Sequence, residues 1–122
     1  MEEESLAMID ELKEWGCDID DAMTRFLDDE DFYITCLYTM MQDPLYDRLG
    51  EALRSGNVHE AFEQAHTLKG VLANMGLTPI YNIVVQLLEP LRAGNGDNLM
   101  PIYDNLILAN EQLKAIVAKN KS

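Results

Sequence analysis

Val58, Ala61, Ala65, Leu68, Leu72 and Met75 follow one another at steps of three, four, three, four and three residues. A strand, with its period of two, cannot keep such a set on one side, whereas a helix of about 3.6 residues per turn lines it up along a single seam. The rhythm returns in Leu77, Ile80, Val84, Leu87 and Leu91, and again in Leu99, Ile102, Leu106, Ala109, Leu113 and Ile116. An earlier seam runs through Ile34, Leu37, Met41, Leu45, Leu49 and Leu53. The chain is therefore predicted to be all-α.

Helix boundaries follow from local chemistry. EEESLAMIDELKEW reads as a first helix closed by Gly16, and DIDDAMTRFL as a short second one. The stretch from Asp29 to Gly56 is interrupted by Pro44 and Gly50. Proline removes a helical hydrogen bond and clashes with the preceding turn, so the stretch is either one kinked helix or two helices meeting near Asp43; the kinked helix is the expectation. Asn57 with Glu60 three residues on has capping-box spacing. Thr78 is placed to cap the next helix with Pro79 at its first position, AGNGDN forms a turn, and Pro101 falls in the first turn of the last helix. Short connections between long amphipathic helices favour antiparallel neighbours. The expected architecture is an antiparallel up-down-up-down four-helix bundle with an N-terminal helical extension.

Charge narrows the function. The 122 residues carry a net charge of −13, and residues 1 to 31 alone account for −11. Nucleic-acid binding rests on Lys and Arg neutralising phosphates, so nucleic acid and anionic membrane are disfavoured partners. No apolar run is long enough for a membrane span, and the acidic start MEEESLAMIDEL lacks the character of a signal peptide; no membrane insertion and a cytoplasmic location are expected. Cys17 and Cys36 have no metal-ligand spacing and are read as free thiols. The Met1 start and the polar end AKNKS suggest a free-standing protein.

Both histidines, His59 and His66, fall in one helical segment. At 100° per residue His66 lies roughly 130° from the mean direction of the Val58–Met75 seam and Lys69 roughly 70°. His66 thus faces outward, with Phe62 one turn before it, Ala73 two turns after, and Glu63 and Gly70 further round the same side. A mid-helix glycine costs about 1 kcal/mol relative to alanine, so Gly70 calls for a reason. At i+4 from His66, the missing side chain leaves room for a bulky partner to reach the ring. Lys69 at i+3 can set an ammonium beside whatever the ring bonds to, and three N–H donors suit phosphate oxygens. A neutral imidazole nitrogen is a good nucleophile toward an activated phosphoryl group. Together these residues describe an open, phosphorylatable histidine.

His66-Thr67-Leu68-Lys69-Gly70, with Gly76 six residues beyond Gly70, resembles the HxxKG signature of histidine-containing phosphotransfer (HPt) domains of bacterial two-component phosphorelays. DIDDAMTRFLDDEDFY is similar to the entry segment of stand-alone members and QLLEPLRAGN to their helix end, so the likeness runs over residues 16 to 118. It departs at Val71 and Leu72, where many members carry small residues. The resemblance implies a domain of residues 16–122 preceded by an acidic helix of residues 1–15. It also implies a phosphocarrier: His66 accepts a phosphoryl group from an aspartyl phosphate of a response-regulator receiver and passes it to another receiver. By similarity Lys69 would stabilise the phosphoryl oxygens, Gly70 would give clearance, and Phe62, Glu63 and Ala73 would meet the partner. Receivers, and a hybrid sensor histidine kinase, are the implied partners. The receiver would supply Mg²⁺, so no cofactor is expected of this chain. No nucleotide-binding motif is present, so the chain is expected to be a phosphotransfer intermediate without ATP-dependent kinase activity.

Three other readings compete. A surface histidine alone carries no function, but Lys69, Gly70 and Gly76 in register weigh against that reading. Glu63-x-x-His66 has the spacing of a di-iron bundle ligand pair, but such pairs face inward and occur twice, so no metal site is expected. The third keeps the fold and drops the chemistry: a phosphorylation-independent helical adaptor that binds a receiver or kinase.

Overall fold

The computed structural model describes residues 2–120, with side chains from Leu6 onward; Met1, Lys121 and Ser122 lie outside the described residues. Seven helices make up the described residues: α1 (Glu2–Trp15), α2 (Ile19–Arg25), α3 (Glu30–Met41), α4 (Leu45–Ser55), α5 (Val58–Asn74), α6 (Thr78–Arg92) and α7 (Met100–Lys119). There is no strand among them. Helix α5 packs against α4 and α6, α7 against α6 and α4, so these four close a ring of contacts. Helix α1 rests on α7, α2 and α3.

The seams face the interior of that ring. Ala61, Ala65, Leu68, Leu72 and Met75 of the α5 segment are buried, as are Ile80, Val84, Leu87 and Leu91 of α6 and Tyr103, Leu106, Ala109 and Leu113 of α7. Met8, Ile9 and Leu12 of α1 enter the same core. Each fully buried Leu or Ile contributes about 1.5–3 kcal/mol relative to exposure, which makes this interior the main source of stability.

The stretch around Pro44 is two helices, not one kinked helix. Helix α3 stops at Met41, and the Leu45 N–H donates to the Asp43 Oδ1 at 2.9 Å, giving α4 its own start. Pro44, which has no N–H to lose, begins that new turn with φ −65°. Asn110 of α7 donates from Nδ2 to the Met41 carbonyl at 3.4 Å, covering one acceptor that the break leaves free. Gly50 answers to packing instead: a Cβ there would strike the hydroxyl of Tyr103, which donates to the Tyr46 carbonyl at 2.8 Å.

The remaining caps are close to expectation. Asn57 Oδ1 accepts from the Glu60 N–H at 3.1 Å, but the Glu60 carboxylate takes a bond from Gln64 instead of closing the box. Leu77, not Thr78, is the cap residue of α6, because Pro79 sits one position further in and the Thr78 hydroxyl turns back to the Gly76 carbonyl at 3.4 Å.

Burial of three weak acids sets the alkaline limit of stability. Cys17 is a free thiol pushed by burial from 9.0 up to about 12, and the phenols of Tyr33 and Tyr46 are raised by burial as well. A group whose pKa is higher folded than unfolded leaves stability untouched below its unfolded value. Above that value the unfolded chain loses the proton first, and stability falls until the folded pKa is reached. Denaturant midpoints are therefore expected to hold from pH 7 to about 9 and then drop, each group steepening the fall by up to about 1.4 kcal/mol per pH unit. A midpoint that is flat to pH 11 would contradict this burial.

Candidate functional site

Helix α5 carries the candidate residues because one side of it is spent on the core. With Ala61, Ala65, Leu68 and Leu72 fully buried, His66, Glu63, Gly70 and Ala73 are left exposed, while Phe62 and Lys69 sit half-buried at the borders. The helix itself is well secured at its start by Asn57.

Around His66 the surface is open. Its imidazole lies beside the Phe62 ring, centroids 5.8 Å apart and tilted by 34°. Apart from that ring contact, no hydrogen bond or ion pair holds the imidazole among the described residues. A Cβ built on Gly70 meets nothing within 4 Å. One turn along from the imidazole there is thus bare helix backbone and free space, which a large partner surface can enter. The Lys69 ammonium, also without an ion pair among the described residues, stays available to an incoming anion.

Glu63 is engaged differently. Its carboxylate faces the exposed His59 across one turn, Oε1 to Nε2 at 3.8 Å, and its carbonyl accepts from the Thr67 hydroxyl at 3.0 Å. Among the described residues no group of three His, Cys, Asp or Glu side chains is arranged to hold a metal ion. Ala73 presents a bare methyl outward, and its carbonyl accepts from Arg25 of α2 at 2.9 Å.

Two cations near this face were not singled out from the sequence. Arg92, in the last turn of α6, lies over the Phe62 ring with its Cζ 5.8 Å from the centroid, and is paired with Glu89 at 3.3 Å. The phenyl group therefore has both a guanidinium and the imidazole as neighbours, and its π system is a favourable surface for the cation. Arg25 reaches the far end of α5 from α2. Only the fold brings either residue here, since one comes from the next helix and the other from more than 40 positions upstream.

Gly76 ends the segment with φ +69°, a conformation that L side chains rarely adopt. Its carbonyl accepts from the Asp18 N–H at 2.8 Å. A Cβ there would run into the Asp18 carbonyl group. This glycine is where the α5–α6 turn lies directly against the start of α2.

No helix among the described residues is long and apolar enough to cross a membrane. No curated protein and no solved structure matches the chain. The family model described as "Hpt domain" matches residues 37–118, a span that holds His66, Lys69, Gly70 and Gly76 and covers more than half of the sequence. Members of that family act at histidine in phosphorelays and interact with receiver domains and kinases. On that match, and with an exposed histidine in the middle of an all-helical fold, the chain belongs to the Hpt domain family.

Proposed function

We propose that the chain is a phosphorelay carrier whose acceptor is His66. The observation that carries this reading is the exposed, unbonded imidazole standing one turn from the open space over Gly70. A ring nitrogen of the neutral imidazole attacks the phosphorus of a receiver aspartyl phosphate. The N–P bond forms as the P–O bond to the aspartate breaks, and the carboxylate leaves with the electron pair. The proton on the other ring nitrogen stays with the ring, keeping it a good leaving group for the return step. In that step an aspartate of a second receiver attacks phosphorus and the N–P bond breaks. Lys69 supplies a cation to the phosphoryl oxygens as charge shifts between the two ends. The divalent cation and the remaining catalytic groups belong to the receiver, and a hybrid sensor kinase is a fitting source of the phosphoryl group.

The architecture that suits this work is an antiparallel bundle of α4–α7, supported by the closed ring of contacts and by the brief turns at Gly56–Asn57 and Met75–Leu77. We read residues 16–122 as the carrier domain, residues 1–15 as an added acidic helix, and the setting as cytoplasmic.

Incubating the wild-type chain with a panel of phosphorylated receiver domains tests the proposal. Transfer of a label that is acid-labile and base-stable is expected from at least one receiver; none from any, with the helices intact, contradicts it. Gly70 gives a second test. Gly70→Leu is expected to raise helix stability by about 0.5–1 kcal/mol, since leucine is the better helix former and nothing crowds the site. The same change is expected to cut transfer on the order of 10²-fold by displacing the docked receiver. Unchanged transfer would show that clearance over the imidazole is not needed.

A further inference from the structure

The last turn of α5 is finished by residues that the family match leaves out. Arg25 of α2 donates from its guanidinium to the Ala73 carbonyl at 2.9 Å and from Nε to the Asn74 carbonyl at 3.1 Å. The Tyr33 hydroxyl donates to the Met75 carbonyl at 2.7 Å, and the Asp18 N–H to the Gly76 carbonyl at 2.8 Å. The end carbonyls of a helix have no partners within it and carry the negative end of its dipole. At α5 that end belongs to the face that bears His66, Gly70 and Ala73. Asp18 and Asp21 line a shallow groove with Ala73, whose carbonyl also accepts from the Gly76 N–H at 3.2 Å, so without a cation this end of the face would present the Asn74 carbonyl and two carboxylates. Arg25 meets both: while capping the carbonyls it pairs with Asp21 Oδ2 at 2.9 Å, and its side chain is still 36% exposed.

The phosphoryl group that an incoming donor presents is anionic. Resting on the carrier reading of His66, we infer that Arg25 is a positioning residue for docking: it fixes the end of the histidine-bearing helix and shields the donor from bare negative charge there. Arg25 touches no reacting atom, so its effect belongs in the affinity for the charged receiver and its salt dependence. Rescue by a residue that keeps the charge separates this effect from loss of fold.

Arg25→Gln keeps a hydrogen-bond donor and removes the charge, whereas Arg25→Lys keeps the charge. The probe is a panel of receiver domains charged with beryllofluoride, titrated into each variant at low and high salt. Arg25→Gln is expected to weaken binding about three- to tenfold at low salt, with the difference shrinking as salt screens the charges, and Arg25→Lys to stay close to wild type. Amide hydrogen exchange at Met75 and Gly76, which needs no receiver, is expected to quicken in Arg25→Gln. Equal affinity and salt slope for Arg25→Gln and wild type, or unchanged exchange at Met75 and Gly76, overturns the inference. Failure of the wild-type chain to bind any charged receiver contradicts the carrier reading instead, and the exchange measurement still decides whether Arg25 holds the end of α5.

Discussion

His66→Gln is expected to abolish phosphoryl acceptance, with residual transfer at least about 10³-fold below wild type, the scale on which removing a covalent nucleophile acts. Glutamine keeps a polar, flexible side chain on an exposed helix position and is a good helix former. The imidazole has no hydrogen bond to lose among the described residues. Stability should therefore stay within about 0.5 kcal/mol, and affinity for a charged receiver should change little. What disappears is the ring nitrogen that makes the N–P bond; an amide nitrogen, its lone pair delocalised into the carbonyl, cannot replace it. His59→Gln, on the same helix but 84% exposed and one turn beyond Phe62, is expected to transfer like wild type. Persistent transfer in His66→Gln, or its loss in His59→Gln, would move the acceptor elsewhere.

Gly76→Ala is expected to cost about 2–5 kcal/mol of stability, read as a shift in the denaturant midpoint. Two costs add. A non-glycine residue held at positive φ is strained by about 1–2 kcal/mol. The new methyl group also meets the Asp18 carbonyl and lies 3.2 Å from the Ala22 Cβ, an overpacking worth about 1–3 kcal/mol. The Asp18 side is backbone, so it cannot swing away, and giving way would break the bond from the Asp18 N–H to the Gly76 carbonyl. Gly94→Ala separates the two costs: φ there is +83°, yet a Cβ would meet nothing within 4 Å. That variant should lose only about 1 kcal/mol. Equal losses at Gly76 and Gly94 would show that the contact with α2 contributes nothing.

Residues such as Leu68 and Leu72 made the inward side of α5 legible, because a seam of period 3.6 fixes which way every other residue on that helix points. His66, Gly70 and Lys69 then followed in phase without any knowledge of neighbours. What a single seam cannot show is where another helix lies. The break at Gln42–Pro44 depends on the Asp43 carboxylate turning to the Leu45 N–H and on Asn110, from α7, meeting the Met41 carbonyl. A proline alone is compatible with a kink or a stop. Gly50 is small because Tyr103 crosses it, a contact between residues more than 50 positions apart. The same holds for Arg92 over Phe62 and Arg25 at Ala73. Both look like ordinary basic residues in the last turn of a helix, where cations are favoured in any case, so nothing local marks them as neighbours of the site.

In the proposed relay one particular nitrogen-bearing side chain carries the phosphoryl group. The most direct test is to charge the wild-type chain from a phosphorylated receiver and locate the added phosphoryl group by peptide fragmentation under conditions that preserve N–P bonds. The group is expected on His66 alone, in the peptide containing Thr67, Leu68 and Lys69, and not on His59. A group found on His59, or on an aspartate or glutamate of the acidic N-terminal third, would contradict it.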